Sequence, residues 1–216
     1  MQPFFLYAHI LFGSLSLLLG GTAIAAKKGS ALHIKSGKWY ALSMLFTCVF
    51  SLFVSIPKAN YFLVCIAFFS YYGVFMGQRY IHLKKIEHKS SVEKIGIAAG
   101  FISSIAMIAT AIYFFTHNQI GPGIILTVFG SLFFLGIYED WKILFKNQQY
   151  AYPKMWLEMH IKRMSGGYIA TITAFIVVNN KGYVPDLVGW LGPGIIGGVL
   201  IGMAIKKIKP KSAIQA

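Results

Sequence analysis

Three histidines fall where apolar runs meet basic loops: His33, His82 and His160. Laid out as membrane spans, they sit at one depth, and Glu139 with Asp140 closes another apolar run at that same level. Imidazoles and carboxylates together are ligands for zinc, copper or iron. Two histidines on facing helices can also ligate a haem iron. On this reading His33, His82 and His160 are the metal or haem ligands. Met164, which shares the helical face of His160, adds a thioether suited to a soft metal or haem. Glu139 or Asp140 would be the catalytic candidates, as general base for a metal-bound water. Plainer roles stand beside these. A helix C-terminus favours the cations Arg79 and His82 through its dipole. His33 and His160 can be ordinary headgroup-level histidines. Glu139 and Asp140 lie where that dipole disfavours anions, so they need partners, and Lys142 or Arg163 would serve.

Other polar side chains mark helix faces that should meet protein. His33, Gly37, Met44, Cys48, Ser51 and Ser55 recur at helical spacing, provided that the helix begins before Trp39. Tyr71, Gln78 and His82 share a second face; His160, Met164, Gly167 and Thr171 share a third. His9, Gly13, Ser16 and Gly20 form a stripe that either lines a cavity or hydrogen-bonds a neighbouring helix. The stretch 153–164 reads as an interfacial helix leading into the next span. Its alternative is a copper-type cluster of Met155, Met159, His160 and Met164. Cys48 and Cys65 lie in apolar runs without metal-finger spacing, so neither pairing nor compartment follows from them.

These residues are positioned by a chain of 216 residues that is 56% hydrophobic and only 12% charged. Soluble domains carry about 25% charged residues. Seven apolar runs follow, at about 4–26, 39–56, 61–80, 92–115, 121–138, 164–178 and 187–205. Their lengths fit α-helical spans of ~20 residues, and not the alternating strands of a barrel. The expected architecture is an all-α polytopic bundle, one integral membrane domain over 1–216. Of the Lys and Arg residues, 18 fall in alternate loops and the C-terminal tail, and only Lys58 and Lys181 lie on the other side. Positive charge is retained in the cytoplasm, so the N-terminus is expected outside and the C-terminus inside. The net charge of +14 is thereby accounted for by insertion and anionic lipid, not by nucleic acid. Met1-Gln2-Pro3 supplies no basic n-region, so the first run reads as an uncleaved span and not as a signal peptide.

Ser90-Ser91-Val92-Glu93 reads as a capping box. Small residues at helical spacing, Gly96, Gly100 and Ser104, then Gly194, Gly198 and Gly202, permit close helix contact, inside the bundle or between two copies. Pro193 should kink the last span. No P-loop, GxSxG, HExxH or dinucleotide fingerprint occurs.

Several short pieces carry a resemblance. They are His9-Ile10-Leu11-Phe12-Gly13, Lys28-Gly29-Ser30-Ala31-Leu32-His33-Ile34-Lys35-Ser36-Gly37, His160-Ile161-Lys162-Arg163-Met164, Thr173-Ala174-Phe175-Ile176-Val177-Val178-Asn179 and Trp190-Leu191-Gly192-Pro193. Together they resemble a bacterial family of predicted multi-span membrane proteins known only as a domain of unknown function; Ile34 departs from its usual basic residue. The resemblance implies a protein of the bacterial inner membrane and draws attention to His9, His33 and His160, without implying an activity. A looser likeness to membrane b-type cytochromes lies in inward-facing histidines within a small bundle. The reading is therefore a haem- or metal-binding membrane protein. A transporter or channel, a metal-dependent membrane hydrolase and a non-catalytic assembly protein are its alternatives.

Overall fold

The computed structural model describes residues 2–210. Lys211 and the C-terminal residues beyond it, which belong to the basic tail counted above, lie outside the described residues, as does Met1. Seven helices form the fold: α1 (Gln2–Ala25), α2 (Ala31–Ser55), α3 (Tyr61–His82), α4 (Ser91–Thr116), α5 (Ile120–Trp141), α6 (Met155–Asn179) and α7 (Asp186–Lys206). All seven are long and apolar enough to cross a membrane, and no strand occurs among the described residues. The bundle is that of a multi-pass membrane protein.

Local chemistry sets the helix ends. Ser30 caps α2 by accepting from His33 N at 3.3 Å, after a turn in which Gly29 takes φ of +78°. The capping box forms at α4: Glu93 Oε2 accepts from Ser90 N at 2.7 Å and from its hydroxyl at 2.8 Å. Asn60 caps α3 after a 3-10 turn at Ile56–Lys58, where Pro57 ends the α2 ladder. Pro193, by contrast, stands inside α7. Two helices start earlier than the apolar runs. α2 begins at Ala31, not Trp39, and α6 at Met155, so that the stretch 153–164 is largely the first turns of α6 itself. Lys35, Lys38, Lys162 and Arg163 break the apolar run but not the helix, because a helix continues into the headgroup layer or buries its charges in pairs. α5 likewise runs on through a π-helical turn at Lys142–Asn147.

α3 sits at the centre, packed against α2, α4, α5 and α6, while α1 lies on α2 and α7 on α6. The larger core fills the α3–α4–α5 side with Tyr72, Met76, Tyr80, Met107, Leu126, Ile137 and Met159. A smaller one holds Tyr40, Met44, Cys48, Ala67 and Val74, with Met164 and Tyr168 against it. Both cysteines are free. Leu18, Ile102, Leu135 and Ile195 are left on the outer faces, where lipid takes the place of a core.

The small-residue stripes divide. On α4, Gly96 backs onto Phe75, Gly100 onto Tyr72 and Ile137, and Ser104 is buried. On α7, Gly194, Gly198 and Gly202 have open space where a side chain would stand, so this stripe faces away from the bundle. A close approach of α3 to α6 uses Gly73 and Gly77. A Cβ on Gly77 would lie 2.9 Å from Met164 N, and one on Gly73 3.1 Å from Arg163 O. Gly73 and Gly77 are four residues apart, the small-xxx-small spacing that brings helices together. Gly77→Leu is expected to force α3 and α6 apart and cost about 1–3 kcal/mol. Thermal unfolding in detergent measures it, and an unchanged midpoint would contradict this close packing.

Candidate functional site at the basic end

The close α3–α6 seam places His160. Its ring Nδ1 donates to Gly77 O at 2.8 Å, across the same interface that Gly77 keeps thin. His33 does the same one helix over, donating from Nδ1 to Ala23 O of α1 at 2.8 Å. A carbonyl only accepts, so each neutral ring carries its proton on Nδ1 and keeps a lone pair on Nε2. Metal-ligating histidines are commonly held in this way, with the far ring nitrogen anchored by a hydrogen bond so that the near one is basic and correctly oriented.

His82 does not join them. It is exposed at the last turn of α3. Five residues separate it from Gly77, a rotation of about 140° away from the side that meets α6. The expected three-histidine cluster is thus not assembled, and no group of three or more His, Cys, Asp or Glu side chains placed to hold a metal occurs among the described residues. The copper-type cluster also comes apart. Met159 is buried in the α3–α4–α5 core with Met155 packed against it, whereas Met164 packs on the other cluster, over Gly77.

Glu139 and Asp140 are held in a charge network. Asp140 is fully buried: Oδ2 accepts from the Tyr72 hydroxyl at 2.8 Å, and Oδ1 from the Tyr80 hydroxyl at 2.7 Å. Arg163 Nη2 donates to Asp140 Oδ1 at 2.9 Å, to Glu139 Oε2 at 3.2 Å and to Gly136 O at 2.6 Å. Lys162 pairs with Glu139 at 2.7 Å and Glu158 at 2.8 Å. Glu158 also accepts from Tyr152 and lies 3.5 Å from Lys209 Nζ. Arg163 is one of the two partners the sequence suggested; Lys142 is not part of the network. Tyr72 and Tyr80 were missed, because an aromatic inside an apolar run carries no sign that its hydroxyl is needed. Both Asp140 oxygens are engaged by donors, which suits an anion fixed as an anchor between α3, α5 and α6.

The remaining polar residues have local partners. Arg79 pairs with Glu93 of α4 at 2.5 Å. His9 donates from Nδ1 to Thr47 O of α2 at 2.9 Å, so of its two expected roles the helix-to-helix hydrogen bond is formed. Gln78 is half-buried. The Tyr40 hydroxyl is buried without a hydrogen-bond partner. Beside it, Thr171 Oγ1 is committed to Gly167 O at 3.0 Å and Met44 Sδ at 3.2 Å. Tyr40 lies two turns deeper than His33 on α2, and Gly167, which it approaches, two turns deeper than His160 on α6. One seam therefore runs from the histidine pair toward an unused donor.

Comparison with protein-family models, with curated proteins and with solved structures returns no match.

Proposed function

We propose that this chain is a multi-pass protein of the bacterial cytoplasmic membrane that holds a transition metal or haem iron through His33 and His160. The observation that carries the reading is the pair of Nδ1 anchors, on Ala23 O and Gly77 O, which leaves both Nε2 lone pairs for a ligand. The Met164 thioether lies one turn deeper than His160 on the same face of α6, whereas Met159 is buried in the other core. His82 is left out of the ligand set because it lies at the exposed end of α3. Glu139, Asp140 and Arg163 serve this reading by fixing α5 to α6 beside α3, not by doing chemistry. His33 and His160 also lie in the sequence pieces that resemble the bacterial family of unknown function, and His82 does not. The visible spectrum and metal content of purified protein test the proposal.

The same proposal puts the basic end in the cytoplasm. Lys27, Lys28, Lys35 and Lys38, the lysines after α3, and Lys206, Lys207 and Lys209 emerge there, while Lys58 and Lys181 emerge at the other end. A fluorescent-protein fusion at Ala216 is expected to glow, and an alkaline phosphatase fusion there to be inactive. The reverse pattern would overturn the orientation.

A further inference from the structure

A recess lies at the opposite end, between the starts of α3, α5 and α7 and the end of α4. Its volume is about 760 Å³, and Phe62, Phe114, Ile125 and Trp190 form its apolar wall. Phe62 meets Trp190 edge-on, with ring centroids 4.9 Å apart. Lys58 and Asp186 both line the recess. Among the described residues only three charged side chains, these two and Lys181, belong to this end. Among the described residues neither Lys58 nor Asp186 forms an ion pair. α5 and α7 also start here without side-chain caps, so unbonded N–H groups and the positive ends of two helix dipoles add to Lys58.

We propose that this recess binds a phospholipid with a zwitterionic ethanolamine headgroup, its phosphate on Lys58 and its ammonium on Asp186. An anionic headgroup would leave Asp186 facing like charge. A neutral one would leave both charges unmatched. The primary ammonium offers three N–H donors to a carboxylate. The shared chemistry, an alkylammonium phosphate, also exists in free phosphoethanolamine. The lipid is the source favoured by the surroundings: the recess is walled by Trp and Phe, and Ile120 and Tyr113 at its margin are exposed to the bilayer. An acyl chain continues from the headgroup along that apolar margin. Asp186 has a plainer role as an acid in the first turn of α7, favoured by the helix dipole. That role would give no preference among headgroups.

The test uses the full chain in mixed micelles and the fluorescence of Trp190. Brominated phosphatidylethanolamine and brominated phosphatidylglycerol are added at equal mole fraction. Trp190→Phe supplies the background from Trp39, Trp141 and Trp156. Quenching assigned to Trp190 is expected at several-fold lower mole fraction of the ethanolamine lipid than of the glycerol lipid. Asp186→Asn should abolish that preference, and Lys58→Gln should weaken quenching by both lipids. Both positions are exposed, and matched circular dichroism checks that the variants fold. Equal quenching by the two lipids overturns the proposal, as does a preference that survives Asp186→Asn. Displacement of the brominated lipid by millimolar free phosphoethanolamine overturns the lipid source in favour of a soluble zwitterion. Because none of these readouts involves His33 or His160, their failure is distinct from failure of the metal or haem reading.

Discussion

Wild-type protein purified after expression with haem precursor and transition metals supplied is expected to carry bound iron or another transition metal, and His160→Ala is expected to lose nearly all of it. The argument rests on what the substitution removes. In the proposed pair Nε2 of His160 is one of two imidazole donors, so its loss would leave a single histidine. The fold is expected to survive, since alanine is the better helix former. The lost Nδ1 hydrogen bond to Gly77 O costs about 0.6–2 kcal/mol in a membrane bundle. His33→Ala should behave alike, and His82→Ala should keep full occupancy. Visible spectra and metal analysis at matched folded yield decide. A colourless, metal-free wild type would end the ligand reading, and full occupancy in His160→Ala would remove that residue from it. In either case His160 would be a structural staple, as His9 is toward Thr47.

Asp140→Ala is expected to be the most destabilising single substitution in the chain. Asp140 is fully buried and serves three donors from two helices: the Tyr72 and Tyr80 hydroxyls of α3 and the Arg163 guanidinium of α6. Its removal strands two buried hydroxyls and leaves Arg163 with the half-exposed Glu139 and a carbonyl. Breaking a buried pair by deleting one partner costs about 3–5 kcal/mol. Tyr80→Phe should cost less, about 1.5–3 kcal/mol, as the loss of one hydrogen bond to a charged group. Asp140→Asn should fall between wild type and alanine, since it keeps an acceptor but not the charge. Thermal unfolding in detergent orders the series. An Asp140→Ala midpoint equal to wild type would show that the network contributes no stability.

Much of this molecule is written in one dimension. The composition and seven apolar runs alone determine an all-helical multi-pass bundle, because uninterrupted apolar runs of ~20 residues satisfy their own backbone in a bilayer as helices, whereas a barrel needs short alternating strands. The capping box at Ser90 and Glu93 and the need of Asp140 for a cationic partner were legible too, since both follow from short-range chemistry. The starts of α2 and α6 were not. Ala31 and Met155 lie among lysines and histidines, and hydropathy reports where lipid is, whereas a helix ends where its backbone is capped.

Convergence was decided by the tertiary structure. His33, His82 and His160 share a depth, and depth is what a sequence plotted against the bilayer reveals. Which way each ring points depends on the rotation of each helix about its own axis. That rotation is set by the close approach of Gly73 and Gly77 to α6, which turns His160 inward and leaves His82 outside. The same fixing of helix rotation buries the α4 stripe and exposes that of α7, although both have the same spacing. It also brings the hydroxyls of Tyr72 and Tyr80 onto Asp140. Spacing along a helix specifies a face; only packing against neighbours specifies what that face meets, because a helix in lipid can turn about its axis at little cost until another helix locks it.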